Sequence, residues 1–146
     1  LVSDAAVIGL STADIILVKP KTFMNHSGQA IKDLQKENSF EPAQVLVVFD
    51  DFSLPFSKVR LRRGGSDGGH NGLASVIEAM GTDAVPRLRL GIGKTGDGDD
   101  INFVLNEFPH DAPVDALVER GCRAIESCVN DGLDAAMNRF NGCPLL

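Results

Sequence analysis

The chain has 146 residues, a length that fits one domain with one hydrophobic core. Hydrophobic residues make up 43% and charged residues 23% of it, which argues against a disordered chain. No apolar run approaches the roughly 20 residues that span a bilayer, so we expect no membrane association. The net charge of −6 argues against a nucleic-acid partner, yet residues 19–94 carry +3 and residues 95–146 carry −7. A basic section of an acidic chain can still bind phosphate.

Strands and helices alternate along the chain. The strands are apolar, β-branched runs or alternating segments, whereas the helices place apolar residues three and four positions apart. The predicted elements are a strand at 14–18, a helix at 26–38, strands at 44–51 and 58–63, a helix at 70–80, a strand at 87–93, a helix at 112–130 and a shorter helix that ends near Phe140. This order predicts a single α/β domain over residues 1–146, with a mixed, mostly parallel sheet flanked by helices.

The long helix at 112–130 has apolar residues at helical spacing. We expect its inward face to contain Leu117, Cys122 or Ile125, and Val129. The cysteines of the chain form no CxxC pair, and no His/Cys cluster has the spacing of zinc ligands. We therefore expect no metal site.

A glycine-rich loop at 64–72 is the strongest local feature of the sequence, with five glycines in nine residues. Glycine exposes backbone N–H groups and allows close approach, which suits an anion or a bulky substrate. The loop has neither the Lys-Ser/Thr of a P-loop nor the GxGxxG pattern, which argues against ATP and NAD. The alternative is a surface loop that needs several positive φ angles.

Polar residues stand where this loop meets a helix and where the first predicted strand ends. His70 and Asn71 could hold a substrate carbonyl, but Asn71 could equally be a helix cap and His70 a solvated side chain. Asn25 could bind a substrate or be the N-cap of the helix at 26–38. Asp50 and Asp51 end the strand at 44–51, where one carboxylate could orient a histidine.

Four arginines lie on the two alternating strands, at positions Arg60, Arg62, Arg87 and Arg89. If the arginine faces of the two strands align, they form a basic patch that suits phosphate. The alternative is that these side chains are simply solvated.

Four segments together resemble the bacterial-type peptidyl-tRNA hydrolase family. Residues 19–28 (KPKTFMNHSG) resemble its KPxT[FY]MNxSG signature, and residues 50–55 (DDFSLP) are similar to its DDLDLP. Residues 64–73 (GGSDGGHNGL) and 86–93 (PRLRLGIG) resemble its GGSxGGHNGL and PRLRIGIG motifs. The resemblance implies an enzyme that hydrolyses the ester between a peptide and tRNA, without a metal or organic cofactor. It also implies a monomer in the cytoplasm, or in a mitochondrion or plastid.

The resemblance assigns roles to individual residues. Asp50 would hold the general-base histidine, Asn25 would position the water or the ester, and His70 would contact the substrate; these three are the predicted catalytic residues. The predicted substrate-binding residues are Phe23, Met24, Asn25, Gly68, His70 and Asn71. Arg62 and Arg89 would clamp the 5′ phosphate of tRNA. We expect Asn25, Asp50, His70 and Asn71 to line one cleft.

The family opens with a strand and a GLGNPGxxYxxTRHN motif that contains the general-base histidine. No counterpart of that motif stands in the printed sequence. The resemblance therefore implies a domain that is incomplete at its N-terminus, lacks its first strand and is inactive by itself.

Two other functions stay open. The first is a non-catalytic RNA-binding relative of the type that serves organellar intron splicing. The second is an unrelated enzyme that acts on phosphate compounds or small esters.

Overall fold

The structure is a computed structural model that describes residues 3–9, 14–93 and 107–143. Its elements, in chain order, are β1 (Ser3–Gly9), β2 (Asp14–Pro20), the 3-10 turn η1 (Met24–His26), α1 (Gly28–Glu37), the 3-10 turn η2 (Pro42–Gln44), β3 (Val47–Asp51), β4 (Val59–Arg62), α2 (Asn71–Met80), β5 (Arg87–Gly91), α3 (Val114–Asp131) and α4 (Leu133–Phe140). The chain forms two compact units. Unit 1 comprises residues 1–47 and 63–86, and unit 2 comprises residues 48–62 and 87–146. The single domain expected from the sequence stays a prediction.

Unit 1 contains a β-hairpin and a pair of packed helices. Strands β1 and β2 run antiparallel, and β1 is an addition to the strands predicted from the sequence. Helix α1 packs against α2 at Gly28, whose N–H donates to Ser75 Oγ at 2.9 Å. Leu73 and Val76 of α2 are buried beneath this contact together with Ala30 of α1. The two helices therefore meet through small residues that allow their backbones to approach.

Unit 2 contains a three-stranded sheet in the order β3-β5-β4. At one end of the β3–β5 pair, the Val47 N–H donates to the Pro86 carbonyl, and at the other end the Ile92 N–H donates to the Asp51 carbonyl. The residue numbers increase together along both strands, so β3 and β5 are parallel. β4 and β5 are antiparallel. The α/β class with a mixed sheet is thus confirmed, but parallel pairing does not predominate among the described strands. The alternation of a half-buried strand does not reveal its direction.

Helices α3 and α4 cover the apolar face of this sheet. A methyl group on Gly121 of α3 would lie 3.0 Å from Leu90 Cδ2, so helix and strand are in close contact. After α4, the Asn141 side chain donates to the Leu61 carbonyl at 3.0 Å and accepts from the Leu61 N–H at 2.8 Å. These two bonds satisfy the backbone groups of Leu61 on the edge of β4 that faces away from β5.

The inward face of α3 contains Leu117 as expected, and Ile125 and Val129 are half-buried, but Cys122 does not belong to it. Gly121 and Ala124 are buried next to Leu117, whereas Cys122 is exposed. The helix packs so closely on the sheet that small residues occupy the contact, and side-chain hydrophobicity does not mark such positions.

In the part of the chain that the structure describes, no helix is both long and apolar enough to cross a membrane.

Candidate functional site

The turn before α1 presents Phe23, Met24 and Asn25 to solvent. Phe23 is 82% exposed, and Asn25 lies inside η1 with an exposed side chain. The hydroxyl of Ser27 donates to the Met24 carbonyl at 2.8 Å and holds the turn. Helix α1 begins at Gly28 with Ser27 before it, so the interpretation of Asn25 as the helix cap is wrong. Because Ser27 holds the turn, the exposed Asn25 amide is not needed to stabilise it.

Asn25 also borders a polar groove in unit 1. The groove has a volume of about 460 Å³, and Thr22, Gln29, Lys32 and Ser75 are among its lining residues. The Thr22 hydroxyl is buried and has no hydrogen-bond partner among the described residues. The amide of Asn25 therefore stands next to open space rather than packed protein.

Met24 brings the turn against residues 70–72, the HNG motif. A methyl group on Gly72 would lie 2.5 Å from Met24 Sδ and 3.0 Å from His70 Cε1. A larger residue at position 72 would therefore displace the Met24 side chain from this contact. The two predicted substrate-binding segments, 23–25 and 70–71, are thus neighbours within unit 1.

The loop before the HNG motif has the irregular backbone that its glycines predict. Gly65, Gly68 and Gly69 all have positive φ, at 125°, 61° and 85°. No atom lies within 4 Å of where their Cβ atoms would be, so backbone conformation rather than space requires glycine there. Asp67 closes the loop by accepting from Gly69 N at 2.7 Å and, through its carbonyl, from His70 N at 3.0 Å.

His70 is the N-cap of α2. Its Nδ1 accepts a hydrogen bond from Leu73 N at 3.0 Å. A neutral imidazole that accepts at Nδ1 has its proton on Nε2, and Nε2 is then a donor. This tautomer suits a hydrogen bond to a substrate oxygen and does not suit a general base. Asn71 is the first residue of the helix and is exposed, so its interpretation as the cap is wrong.

Replacing His70 by Ala is expected to lower the free energy of unfolding by about 1 kcal/mol, because Leu73 N loses its acceptor. His70→Asn is expected to restore most of that loss, since an Asn side chain also caps helices. Urea unfolding of the three proteins checks this. Equal stability of the Ala and Asn variants would contradict the capping role.

In unit 2, four arginines share one face of the sheet. In the β4–β5 register Arg60 is opposite Arg89 and Arg62 is opposite Arg87, and opposite residues project to the same side. Leu61 and its neighbours on the other side are buried. The predicted alignment of the arginine faces is confirmed. Arg87 is buried at 3% exposure, whereas Arg60, Arg62 and Arg89 are partly exposed, so three of the four arginines can be reached from solvent.

Asp51 and Ser53 hold Arg89 on this face. Arg89 Nε donates to Asp51 Oδ2 at 2.6 Å, and Arg89 Nη2 donates to Ser53 Oγ at 3.1 Å. Ser53 in turn donates to Asp51 Oδ1 from its N–H at 2.8 Å and from its hydroxyl at 2.5 Å. Burial raises the pKa of the Asp51 carboxyl, but the hydrogen bonds from Ser53 and Arg89 outweigh this effect and lower the pKa below its ordinary value. Asp51 is therefore ionised at neutral pH.

Asp50 differs from its neighbour. Successive strand residues project to opposite faces, so Asp50 projects away from the face that Asp51 and Arg89 share. Among the described residues, no hydrogen bond or ion pair involves the Asp50 side chain. Asp50, Arg62 and Arg89 belong to unit 2, whereas Asn25 and His70 belong to unit 1. The expectation that Asp50 lies in one cleft with Asn25 and His70 stays a prediction. The roles assigned to these residues stay predictions as well.

Among the described residues, no group of three or more His, Cys, Asp or Glu could hold a metal ion.

Taken together, these features define an α/β protein with polar side chains at a helix start in one unit and a sheet face that bears arginines in the other. A family model described as peptidyl-tRNA hydrolase matches residues 2–145. The chain therefore belongs to the peptidyl-tRNA hydrolase family, and the resemblance drawn from its four motifs is confirmed.

Relatives with that name share much of the sequence. A peptidyl-tRNA hydrolase of Synechococcus sp. (strain JA-3-3Ab) is 47% identical over 128 residues, which are 86% of this chain and 57% of the relative. One of Alkaliphilus oremlandii is 42% identical over 130 residues, 88% of this chain and 70% of the relative. The crystal structure of the Acinetobacter baumannii enzyme superimposes with a TM-score of 0.85 at 26% identity and covers 97% of this chain and 73% of its own. The chain thus spans little more than half the length of the first relative.

Proposed function

We propose that this chain serves the hydrolysis of the ester bond between a peptide, or an N-blocked amino acid, and tRNA. Family membership and the relatives' shared name support the reaction. The observation that carries the proposal is the packing of Met24 on Gly72 beside the His70 ring, because it places two of the family's motifs together. The relatives are bacterial, which supports action in the cytoplasm, or in an organelle with its own translation. We propose that the protein acts as a monomer.

In the proposed complex, unit 1 binds the peptide and the 3′ end of tRNA. The Nε2–H of His70 donates to a carbonyl oxygen, and the Asn25 amide positions the water or the ester. Asn71 contributes a second amide, and Gly68 leaves the loop open to the peptide. Exposed Phe23 offers an apolar surface to a peptide side chain or a base.

The sheet face of unit 2 binds the tRNA backbone in the same proposal. Arg62 and Arg89 donate to the 5′ phosphate, since guanidinium groups bind phosphate through paired hydrogen bonds. Asp50 orients the general-base imidazole and stabilises it when it becomes protonated.

The general base itself has no assigned residue in this chain. The three histidines are His26, His70 and His110, and none stands in the motif that the family uses for this role. Because Nδ1 of His70 caps α2 and Nε2 is then a donor, His70 is a poor substitute. We therefore propose that the 146 residues alone bind peptidyl-tRNA without hydrolysing it.

The test is the release of N-acetyl-aminoacyl groups from tRNA by two proteins. One is the 146-residue chain, and the other is the same chain joined to the N-terminal segment of the Synechococcus relative. We expect the joined protein to exceed the chain alone by about 10²- to 10⁴-fold, the usual contribution of a general base. A matched control replaces the histidine of the added segment by Ala. Hydrolysis by the 146-residue chain at the same rate as by the joined protein would overturn the assignment of the base.

The same assay separates the alternatives. If the joined protein binds tRNA in a salt-dependent manner but leaves the ester intact, the chain is a non-catalytic RNA-binding relative. If it hydrolyses small esters and binds tRNA weakly, the peptidyl-tRNA proposal fails.

A further inference from the structure

The network around Arg89 controls how its guanidinium is presented. The group has five N–H donors in a fixed plane. Asp51 takes the Nε donor and Ser53 takes one Nη2 donor, and these two lie on the same edge of the plane. The terminal edge, formed by Nη1 and the second Nη2 donor, has no protein partner among the described residues.

Both oxygens of the Asp51 carboxylate are used in this arrangement. Oδ2 accepts from Arg89, while Oδ1 accepts from the N–H and the hydroxyl of Ser53. The Ser53 hydroxyl therefore has a fixed orientation, in which its proton points to Asp51 and its lone pair to Arg89. The side chains of Arg89 and Asp51 are 25% and 14% exposed, so the pair is largely shielded from water. Such shielding strengthens charged hydrogen bonds.

We propose that Asp51 and Ser53 are positioning residues that fix the side edge of the Arg89 guanidinium and thereby aim its terminal edge at a terminal phosphate monoester of RNA. This inference rests on the proposed function of Arg89 in phosphate binding. An arginine that is already held in place loses less side-chain entropy on binding. Arg60, opposite on β4, adds positive charge beside the same position.

A competing effect makes the inference testable. A carboxylate close to Arg89 also neutralises it. If neutralisation were the main effect of Asp51, its removal would strengthen phosphate binding. If positioning is the main effect, its removal weakens the preference for a phosphorylated RNA end.

The experiment measures Kd of the 146-residue chain for two acceptor-stem hairpins that differ only in a 5′-phosphate or 5′-hydroxyl end. We expect the native chain to prefer the phosphate by about 10-fold or more, as for a charged hydrogen-bonded contact. Asp51→Ala is expected to reduce that preference by about 10-fold and Ser53→Ala by about 3-fold. In a chain that already carries Arg89→Gln, adding Asp51→Ala is expected to cause no further change in the preference for the 5′-phosphate hairpin. Asp131→Ala, which removes a carboxylate paired with Arg139 at 3.0 Å, is the matched control.

The outcomes separate the positioning role of Asp51 and Ser53 from the phosphate-binding role of Arg89. An unchanged or increased preference in Asp51→Ala overturns the positioning role while the phosphate role of Arg89 stands. An equal loss of affinity for both hairpins also overturns it, since that is the signature of a general structural defect. A native chain without any preference for the phosphate refutes the role of Arg89 itself and the inference with it.

Discussion

Replacing Arg89 by Gln is expected to weaken tRNA binding by about 10- to 100-fold at moderate ionic strength, the effect of losing a charged hydrogen bond to phosphate. Gln keeps a polar side chain but removes the charge and the paired donors. Each phosphate contact also contributes about 1 to the slope of log Kd against log salt concentration, so the slope should fall by about that amount. Fluorescence anisotropy with labelled deacylated tRNA across a salt series measures both quantities.

Two controls show whether an effect of Arg89→Gln is specific to this site. One tests the loss of a positive charge elsewhere, and the other tests whether the variant is folded. Arg123→Gln removes an exposed arginine of α3, and we expect it to change affinity by less than about twofold. Arg89→Gln also leaves Asp51 without its ion-pair partner, so thermal unfolding must show that the variant is folded. A folded Arg89→Gln protein with native affinity and an unchanged salt slope would remove Arg89 from the interface.

Replacing Gly28 by Ala is expected to destabilise unit 1 by about 2–3 kcal/mol. The added methyl would overlap the Ser75 carbonyl oxygen and would lie 2.8 Å from the Ser75 carbonyl carbon and 2.9 Å from Ala79 Cβ. Most of these atoms are backbone, so they cannot rotate away and α1 must separate from α2. Because Ala favours a helix over Gly by up to about 1 kcal/mol, the substitution would stabilise the chain if the helices were not in contact.

The control for Gly28 is Gly142→Ala. No atom lies within 4 Å of a Cβ at Gly142, so this variant should unfold at nearly the native urea concentration. Loss of the α1–α2 contact should also disturb the turn that contains Asn25, since α1 follows it directly. A Gly28→Ala protein as stable as the native chain would show that the two helices are not packed as described.

Much of the fold follows from residue patterns. The alternation at residues 58–63 and 87–93 predicted two strands with arginines on one side, and the antiparallel register confirms that alignment. Strand β1 was missed because two of its residues, Ala5 and Ala6, have weak strand preference. An amphipathic pattern reveals which face is buried, but not which strand lies alongside.

The site was harder to predict because its details depend on tertiary contacts. Asp50 and Asp51 are identical in type, and only the pairing of β3 with β5 determines that Asp51 meets Arg89. His70 rather than Asn71 caps α2, although Asn is the commoner cap, since the loop brings the imidazole to Leu73 N. The glycine loop and its positive φ angles, by contrast, were predictable from composition alone.

The most direct test of the account is an NMR titration of the ¹⁵N-labelled chain with a 5′-phosphorylated acceptor-stem hairpin whose 3′ end has an N-acetyl-aminoacyl group in amide linkage. The amide bond resists hydrolysis, so the complex is stable throughout. We predict chemical-shift changes at the backbone amides of residues 23–25 and 68–71 and at the Nε–H of Arg89. Changes confined to α3 and α4, with those signals unmoved, would contradict the account.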